Sequence, residues 1–397
     1  MKAVCIPSHR TIGPFDDEMG EILVLDRPLR AVQRDALTAA GVELVGQPPN
    51  NEPYLIFSDR TWFTEDTVLR LLGAGPGQIR IEDEEWFEST GSLQQTTNGL
   101  YELALLEPGA PASFDHIEPI TVDLDLRTAD PPDLHGATSH ALRPLRIGVA
   151  MIHQLDHWSH ILRVNQLALV ERAEHARLNW ERQSWLSKAF TSLKIVWKSR
   201  SFRRDRILRA LGATGNCTIH PTAVVELCVI GDDVEIGPHA VVRASVIADG
   251  ARIEEHTTCN FSVMGRGSRL GRYGMLNMSV VYPGAMVSHG GGYQASVFGR
   301  DAFVAWGVTA LDLSFGHTIP IIEDGQKMDS GQHFLGVAIG HSARLGNGVR
   351  LNYGVSIPND ALLVAPVDGL IRDASEAMSG QPARCVDGKA TVIKKDL

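Results

Sequence analysis

A chain of 397 residues with 44% hydrophobic and 21% charged side chains is long enough for two or three cores and has a globular composition. A formal net charge of −10 argues against general affinity for nucleic acid, which needs a basic surface to neutralise phosphates. Five cysteines (Cys5, Cys217, Cys228, Cys259, Cys385), odd in number and without a Cys-x-x-Cys pair, give neither a disulfide framework nor a cysteine zinc site. The opening MKAVCIPSHR lacks a cleavable leader pattern and no apolar run reaches about 18 residues, so the expected location is the cytoplasm.

Residues 21 to 46 read as strand, helix, strand: apolar Ile22 to Leu25, then Leu29, Val32, Ala36, Leu37 and Ala40 at helical spacing, then Val42 to Val45. A second unit follows, with a strand at Tyr54 to Phe57, an acidic turn and a helix from about Glu65 to Leu72. The GAGPG stretch at Gly73 to Gly77 follows a helix and not a strand, so it reads as a helix cap and turn rather than a phosphate loop. An α/β domain over residues 1–165 is expected.

A helical connector, residues 166–215, comes next. Between Arg177 and Arg209 it holds ten basic residues against two acidic ones, with Trp185, Ala189, Leu193, Val196 and Trp197 on one face. Such a helix either packs its stripe on the α/β domain or contacts a membrane surface or an anionic partner; the packed arrangement is the expectation.

From residue 216 to 366 the chain repeats. Five segments align without a gap at a period of 17, from Glu226 to Val242 through Gln294 to Ala310, four of them opening on x-x-Ser-Val-hydrophobic. Large apolar residues fall at offsets of six, six and five (Ile230, Ile236, Val242; Ile247, Ile253, Cys259), predicting three short strands per turn of a narrow prism. Small residues such as Ala240, Ser245, Ala251 and Ser262 fit its inner corners, and the Gly or Asn after most large apolar residues suits positive φ at the turns. The pattern fades after Phe315 and resumes at Ile339; residues 322–335 leave the prism, and such departures are where function usually sits. Residues 367–397 form a C-terminal extension.

The repeat resembles the hexapeptide-repeat acyltransferases and the β-helical C-terminal domains of sugar-1-phosphate nucleotidyltransferases, which implies a left-handed parallel β-helix. Residues 22–45, Asp59 in LIFSDRTWF, and Trp158 with Asn165 in the helix beginning DHWSHILRVNQLAL are similar to parts of the nucleotidyltransferase fold, where an aspartate at the position of Asp59 binds metal. That family's glycine-rich phosphate loop is replaced here by VCIPSHRTIGPF, and its lysine before the first helix is missing. The fold class expected is therefore α/β plus β: a degenerate nucleotidyltransferase-like domain, a connector and the β-helix.

The resemblance implies acyl-CoA-dependent acyltransfer to a sugar or sugar nucleotide, performed by a homotrimer with a histidine as general base and acyl-CoA as co-substrate. His317, where the coil breaks, and His333 are the candidate bases; Asp324 or Glu323 is the candidate orienting group, and Lys327 would meet a phosphate. His239, His256 and Tyr273 share one offset in successive coils and should stack as an outward column, a candidate ligand surface. No zinc site is expected, since no His-x-x-x-x-His pair occurs among His289, His317, His333 and His341. The rival readings are a non-catalytic scaffold or regulatory protein, and an active nucleotidyltransferase using Mg²⁺ near Asp59.

Overall fold

The computed structural model describes residues 1–90, 93–94, 99–129, 145–188, 190–191, 213–323, 326–365, 383–387 and 389–392. The N-terminal half is built on a six-stranded mixed sheet in the order Pro119–Thr121, Gly77–Arg80, Leu100–Leu106, Tyr54–Ser58, Lys2–Ile6, Glu43–Leu44. Tyr54–Ser58 is buried along its whole length, as expected of an apolar strand covered on both faces. It runs parallel to Lys2–Ile6 and antiparallel to Leu100–Leu106.

The first strand of this sheet is Lys2–Ile6, not the expected 22–25 segment. Leu23–Val24 instead pairs with Arg27–Pro28 in a hairpin whose two turn residues, Leu25 and Asp26, both take positive φ (50° and 64°). This is the arrangement a two-residue hairpin needs, and for a leucine it is strained. Asn165 holds the turn: its Oδ1 accepts from the Leu25 N–H at 2.7 Å and its Nδ2 donates to the Leu23 carbonyl at 2.9 Å. Leu23–Val24 is thus a strand, but one of a two-stranded hairpin packed on the helices Leu29–Ala39 and Trp158–Arg182 and not of the central sheet.

Helix α1 (Leu29–Ala39) and helix α2 (Glu65–Ala74) form where expected, and Gly75 at φ 109° closes α2 by donating to the Leu71 carbonyl. Helix α3 spans Glu84–Thr90. Helix α4 (Trp158–Arg182) is capped by the His157 ring, which accepts from the Ser159 N–H, and runs without a break across the boundary expected at residue 165. Past it, Trp185, the one described residue of the connector's stripe, is 75% exposed and not packed; Ala189, Leu193, Val196 and Trp197 lie outside the described residues.

The C-terminal half is a parallel β-helix. Its strands stack into two eight-stranded faces, one running from Ala213–Thr214 to Ser356–Ile357 and one from Thr218–Ile219 to Leu362–Leu363, plus a five-stranded face from Val224–Glu226 to Gly292–Gln294. Successive coils pair at the 17-residue register of the repeat, as in the Ser245 to Ser262 step. The serine column fills one inner corner: each hydroxyl accepts the backbone N–H of the next coil's serine, at 3.1 Å for Ser262 and Ser279 and 3.2 Å for Ser296.

The glycines after the large apolar residues serve a purpose other than the expected positive φ. A Cβ on Gly237 would stand 2.8 Å from the backbone nitrogen of Glu255 in the next coil, and on Gly271 2.9 Å from that of His289, so the requirement is close approach of coils. Left-handed φ falls instead on Asp233, His239, His256 and Tyr273, at 55°, 58°, 58° and 58°.

The halves are joined in several places, two of them extensive. On the first long face the outward residues Val246, Val263, Val280, Val297 and Ala338 are at most 7% exposed and share a core with α4 and the N-terminal sheet. At one end the Thr11–Ile12/Asp17–Glu18 hairpin docks on the coils: Arg300 donates to both Asp17 oxygens at 2.8 Å, His341 Nε2 lies 3.1 Å from the same carboxylate, and Phe15 stacks on Tyr282 at 5.7 Å. A partly buried bidentate ion pair capped by stacked rings fixes orientation as well as adding stability. Of the C-terminal extension, Ala383–Val386 pairs antiparallel with Lys389–Val392.

Candidate functional site

The departure from the coil is larger than expected. Val337 takes up the serine ladder of Ser296 from 41 positions on, where every earlier step is 17. The extra chain leaves after Thr309–Ala310 and returns at Ala338–Ile339. It folds on itself: Ser314 N–H donates to His333 O, Ile319 N–H to Gln332 O, and Pro320–Glu323 forms a hairpin with Gln326–Asp329. Ile319, Ile321 and Phe334 anchor it in the core, and Gly354 passes beneath it with no room for a side chain, a Cβ there meeting Ile319 at 2.9 Å.

This ladder brings together two of the candidate residues. His333 Nδ1 lies 2.9 Å from the His317 carbonyl, and His317 Nε2 lies 3.1 Å from the Tyr353 hydroxyl. The carbonyl can only accept, so His333 carries its proton on Nδ1, which orients the loop. Both histidines are exposed and Tyr353 is half-buried. Beside them the Asp329 carboxyl is held below the usual range, first by the Thr318 hydroxyl, then by the Gly331 N–H, with the nearby His333 charge adding to it. Sequence reasoning missed Tyr353 and Asp329. Tyr353 lies 36 positions from His317 in a regular coil, and nothing local marks it.

The other candidates fall elsewhere. Asp324 lies outside the described residues, as does the Glu323 side chain. Lys327 is exposed on the hairpin opposite Ile322, and among the described residues no hydrogen bond or ion pair ties it to either histidine. His239, His256 and Tyr273 do stack as a column on the prism, with centroids 5.1 and 5.2 Å apart and planes within 16° and 6°.

Asp59 follows the Tyr54–Ser58 strand, at the edge where open α/β sheets bind ligands, and accepts from the Ser8 N–H at 3.0 Å. Next to it Arg60 is bracketed by Glu102 and Asp156. Burial pushes the Glu102 carboxyl up, but the Arg60 hydrogen bond and charge outweigh it and hold it low. The Arg60 charge is therefore already neutralised by protein. No group of three His, Cys, Asp or Glu among the described residues is arranged to hold a metal ion.

A cleft of about 700 Å³ separates the two halves, lined by Asp26, Asp35, Glu65, Glu171, Arg172 and Arg266 among others. The Asp26 side chain is only 8% exposed and its Oδ1 has no hydrogen-bond partner among the described residues. Burial pushes its carboxyl up to about 6, with Arg266, 3.4 Å away, pulling the other way.

No protein-family model matches the chain, and no curated protein matches it. Among solved structures, an assigned acetyltransferase of Bacillus cereus matches over 39% of this chain and 78% of its own, at 15% identity and a TM-score of 0.17. A hexapeptide transferase family protein of Anaplasma phagocytophilum covers 36% and 74%, at 16% identity and 0.18. The polysialic acid O-acetyltransferase OatWY covers 47% and 87%, at 16% identity and 0.19. Scores this low carry no weight for activity; the parallel β-helix stands on the strand register itself. No described helix is long and apolar enough to cross a membrane.

Proposed function

We propose that the chain is a transferase of sugar or sugar-nucleotide metabolism that moves an acyl group from acyl-CoA to a hydroxyl or amine, with His317 as general base. The observation that carries this reading is the His317 Nε2 to Tyr353 hydroxyl contact of 3.1 Å, on an exposed ring whose backbone carbonyl accepts from His333. In this reading the acceptor approaches Nε2 beside the Tyr353 hydroxyl, which shows that the nitrogen is open to hydrogen bonding from this side. With an acceptor in that position, Nε2 takes its proton as the oxygen or nitrogen attacks the thioester carbonyl; the carbon–sulfur bond breaks, and coenzyme A leaves with the proton. A homotrimer is the assembly expected for this reading.

A scaffold role is favoured by one observation, the neutralised Arg60 group at the strand ends of the N-terminal half. The same group weighs against nucleotidyl transfer there, for which Asp59 would have to hold Mg²⁺. The test is thiol release from acetyl-CoA with a panel of UDP-sugars as acceptors, beside calorimetric titration with acetyl-CoA. His317→Ala should lower turnover about 100-fold or more while leaving the melting temperature unchanged, since the ring is exposed. Unchanged turnover in that variant, or no acetyl-CoA binding by the wild-type protein, would sink the acyltransferase reading.

A further inference from the structure

The stacked column of rings on the prism ends after three coils. His239, His256 and Tyr273 occupy three successive coils, and each holds φ of 58°, a conformation uncommon for histidine and costly for tyrosine. One coil beyond Tyr273 the same corner is Gly290, whose N–H donates to the Arg272 carbonyl at 2.8 Å. Gly290 takes φ of 67° without strain, so the coil continues and the column of rings does not. Gly291 and Gly292 follow, leaving three positions in a row without side chains. Gly291 is explained by the Tyr293 ring, which a Cβ would meet at 2.6 Å. Gly292 has no such need: a Cβ would meet only the flexible end of Met275, at 3.2 Å, and φ there is not positive.

The result is a notch in the outer surface bordered by two aromatic rings. Tyr273 is 66% exposed; one face lies on His256, and among the described residues no ring contacts the other. Across the notch Trp306 is 62% exposed and leans back until its Nε1 lies 3.1 Å from where a Gly290 Cβ would be. Its ring therefore rims the empty level without stacking on Tyr273. Coils of parallel strands repeat at about 4.8 Å. A flat ring placed at the Gly290 level would thus sit on Tyr273 at the spacing the column already keeps, 5.1 to 5.2 Å. Its edge would face the Trp306 N–H donor.

We infer that the notch formed by Tyr273, Gly290 to Gly292 and Trp306 binds a planar nitrogenous base, which enters as the fourth ring of the column. A base offers a π-face to Tyr273 and ring nitrogens or carbonyls to the indole N–H, the combination by which proteins hold single bases. The base is that of a free nucleotide or of coenzyme A. The site does not depend on His317 acting as a base: coenzyme A held here without turnover would retain this inference and remove the acyltransferase.

The experiment is a fluorescence titration of the full chain with AMP, UMP and coenzyme A in turn, reading quenching of Trp306 as the difference between wild type and Trp306→Phe. Saturable quenching is expected, and Tyr273→Ala should weaken binding about tenfold, the effect of removing one stacking platform. The decisive variant is Gly290→His, which adds the missing ring from the protein's own chain. His239 and His256 hold the same backbone conformation, so the main chain accepts the change once the exposed Trp306 indole swings off the Cβ position; an unchanged melting temperature checks the fold, and the variant should lose binding. Coenzyme A and AMP binding ahead of UMP would identify the base as adenine, and equal binding would mean any base is accepted. Absence of quenching by all three, or binding by Gly290→His equal to wild type, would overturn the inference.

Discussion

The two long faces of the prism are made from the same coil, yet their outward residues differ, small and apolar on one and mostly charged or large on the other. On the first, Val246, Val263, Val280, Val297 and Ala338 are buried under the N-terminal half. On the second, the matching positions are Glu235, Arg252, Arg269, Met286, Phe303 and Arg344. Inward residues are dictated by the narrow interior and look alike on both faces: Ile247 and Ile253, Met264 and Leu270. The outward position is free of that constraint, so its chemistry reports what lies outside. In a β-helix, a column of outward valines marks an interface.

Three measurements would break or sharpen this contrast. Val280→Asp places a carboxylate beside α4, which runs past Val280–Val281, and should lower stability by on the order of 4 kcal/mol in urea unfolding. A cost comparable to that of a surface substitution would mean that the face is not covered.

A smaller effect is expected at Asp26, which sits at the edge of the covered face with Oδ1 beside Gly265. Its folded-state pKa of about 6 exceeds the ordinary 3.8, so the folded chain holds this proton more tightly than the unfolded one. Stability from this group is then fully present below about pH 4 and is lost as the pH rises through 6. Asp26→Asn should raise stability at pH 8 by about 1 kcal/mol, after allowing for solvent screening, and make no difference at pH 4. A gain that is the same at both pH values would show that desolvation of the charge is not its source.

The smallest effect belongs to the open face. Arg252 and Glu235 are more than half exposed and 3.5 Å apart, and Arg252→Gln should change stability by less than about 0.5 kcal/mol. A larger loss in thermal unfolding would mean that something covers this face too.

Much of the β-helix was legible because a 17-residue period exposes every inward, outward and corner position at once. The Ser-Val signature was visible as well; its meaning was not, because a repeat does not reveal which of its faces another domain will cover. The N-terminal half was less legible. Lys2–Ile6 is a short central strand, while Ile22 to Val24 form a better apolar run that helices bury. In the candidate site, His317 and His333 could be found because they stand where the period fails. Tyr353 could not, since its role depends on a loop folding over the coil that carries it. Lys327 shares a segment with the histidines but not their cluster, a reminder that nearness in sequence within a hairpin does not set direction.

The excursion between Thr309–Ala310 and Ala338–Ile339 has a consequence for how such a protein can change over time. The hydrogen-bond ladder closes across it, Val297 pairing with Ala338 as though the intervening chain were absent. Lengthening a loop whose ends are already held together adds only about 0.6 kcal/mol of chain entropy per doubling. New residues can therefore be added at the exposed part of this excursion with little penalty to the rest, so long as Ile319, Ile321 and Phe334 keep their places in the core. The rod is conservative by construction, and the excursion is where variation is cheapest.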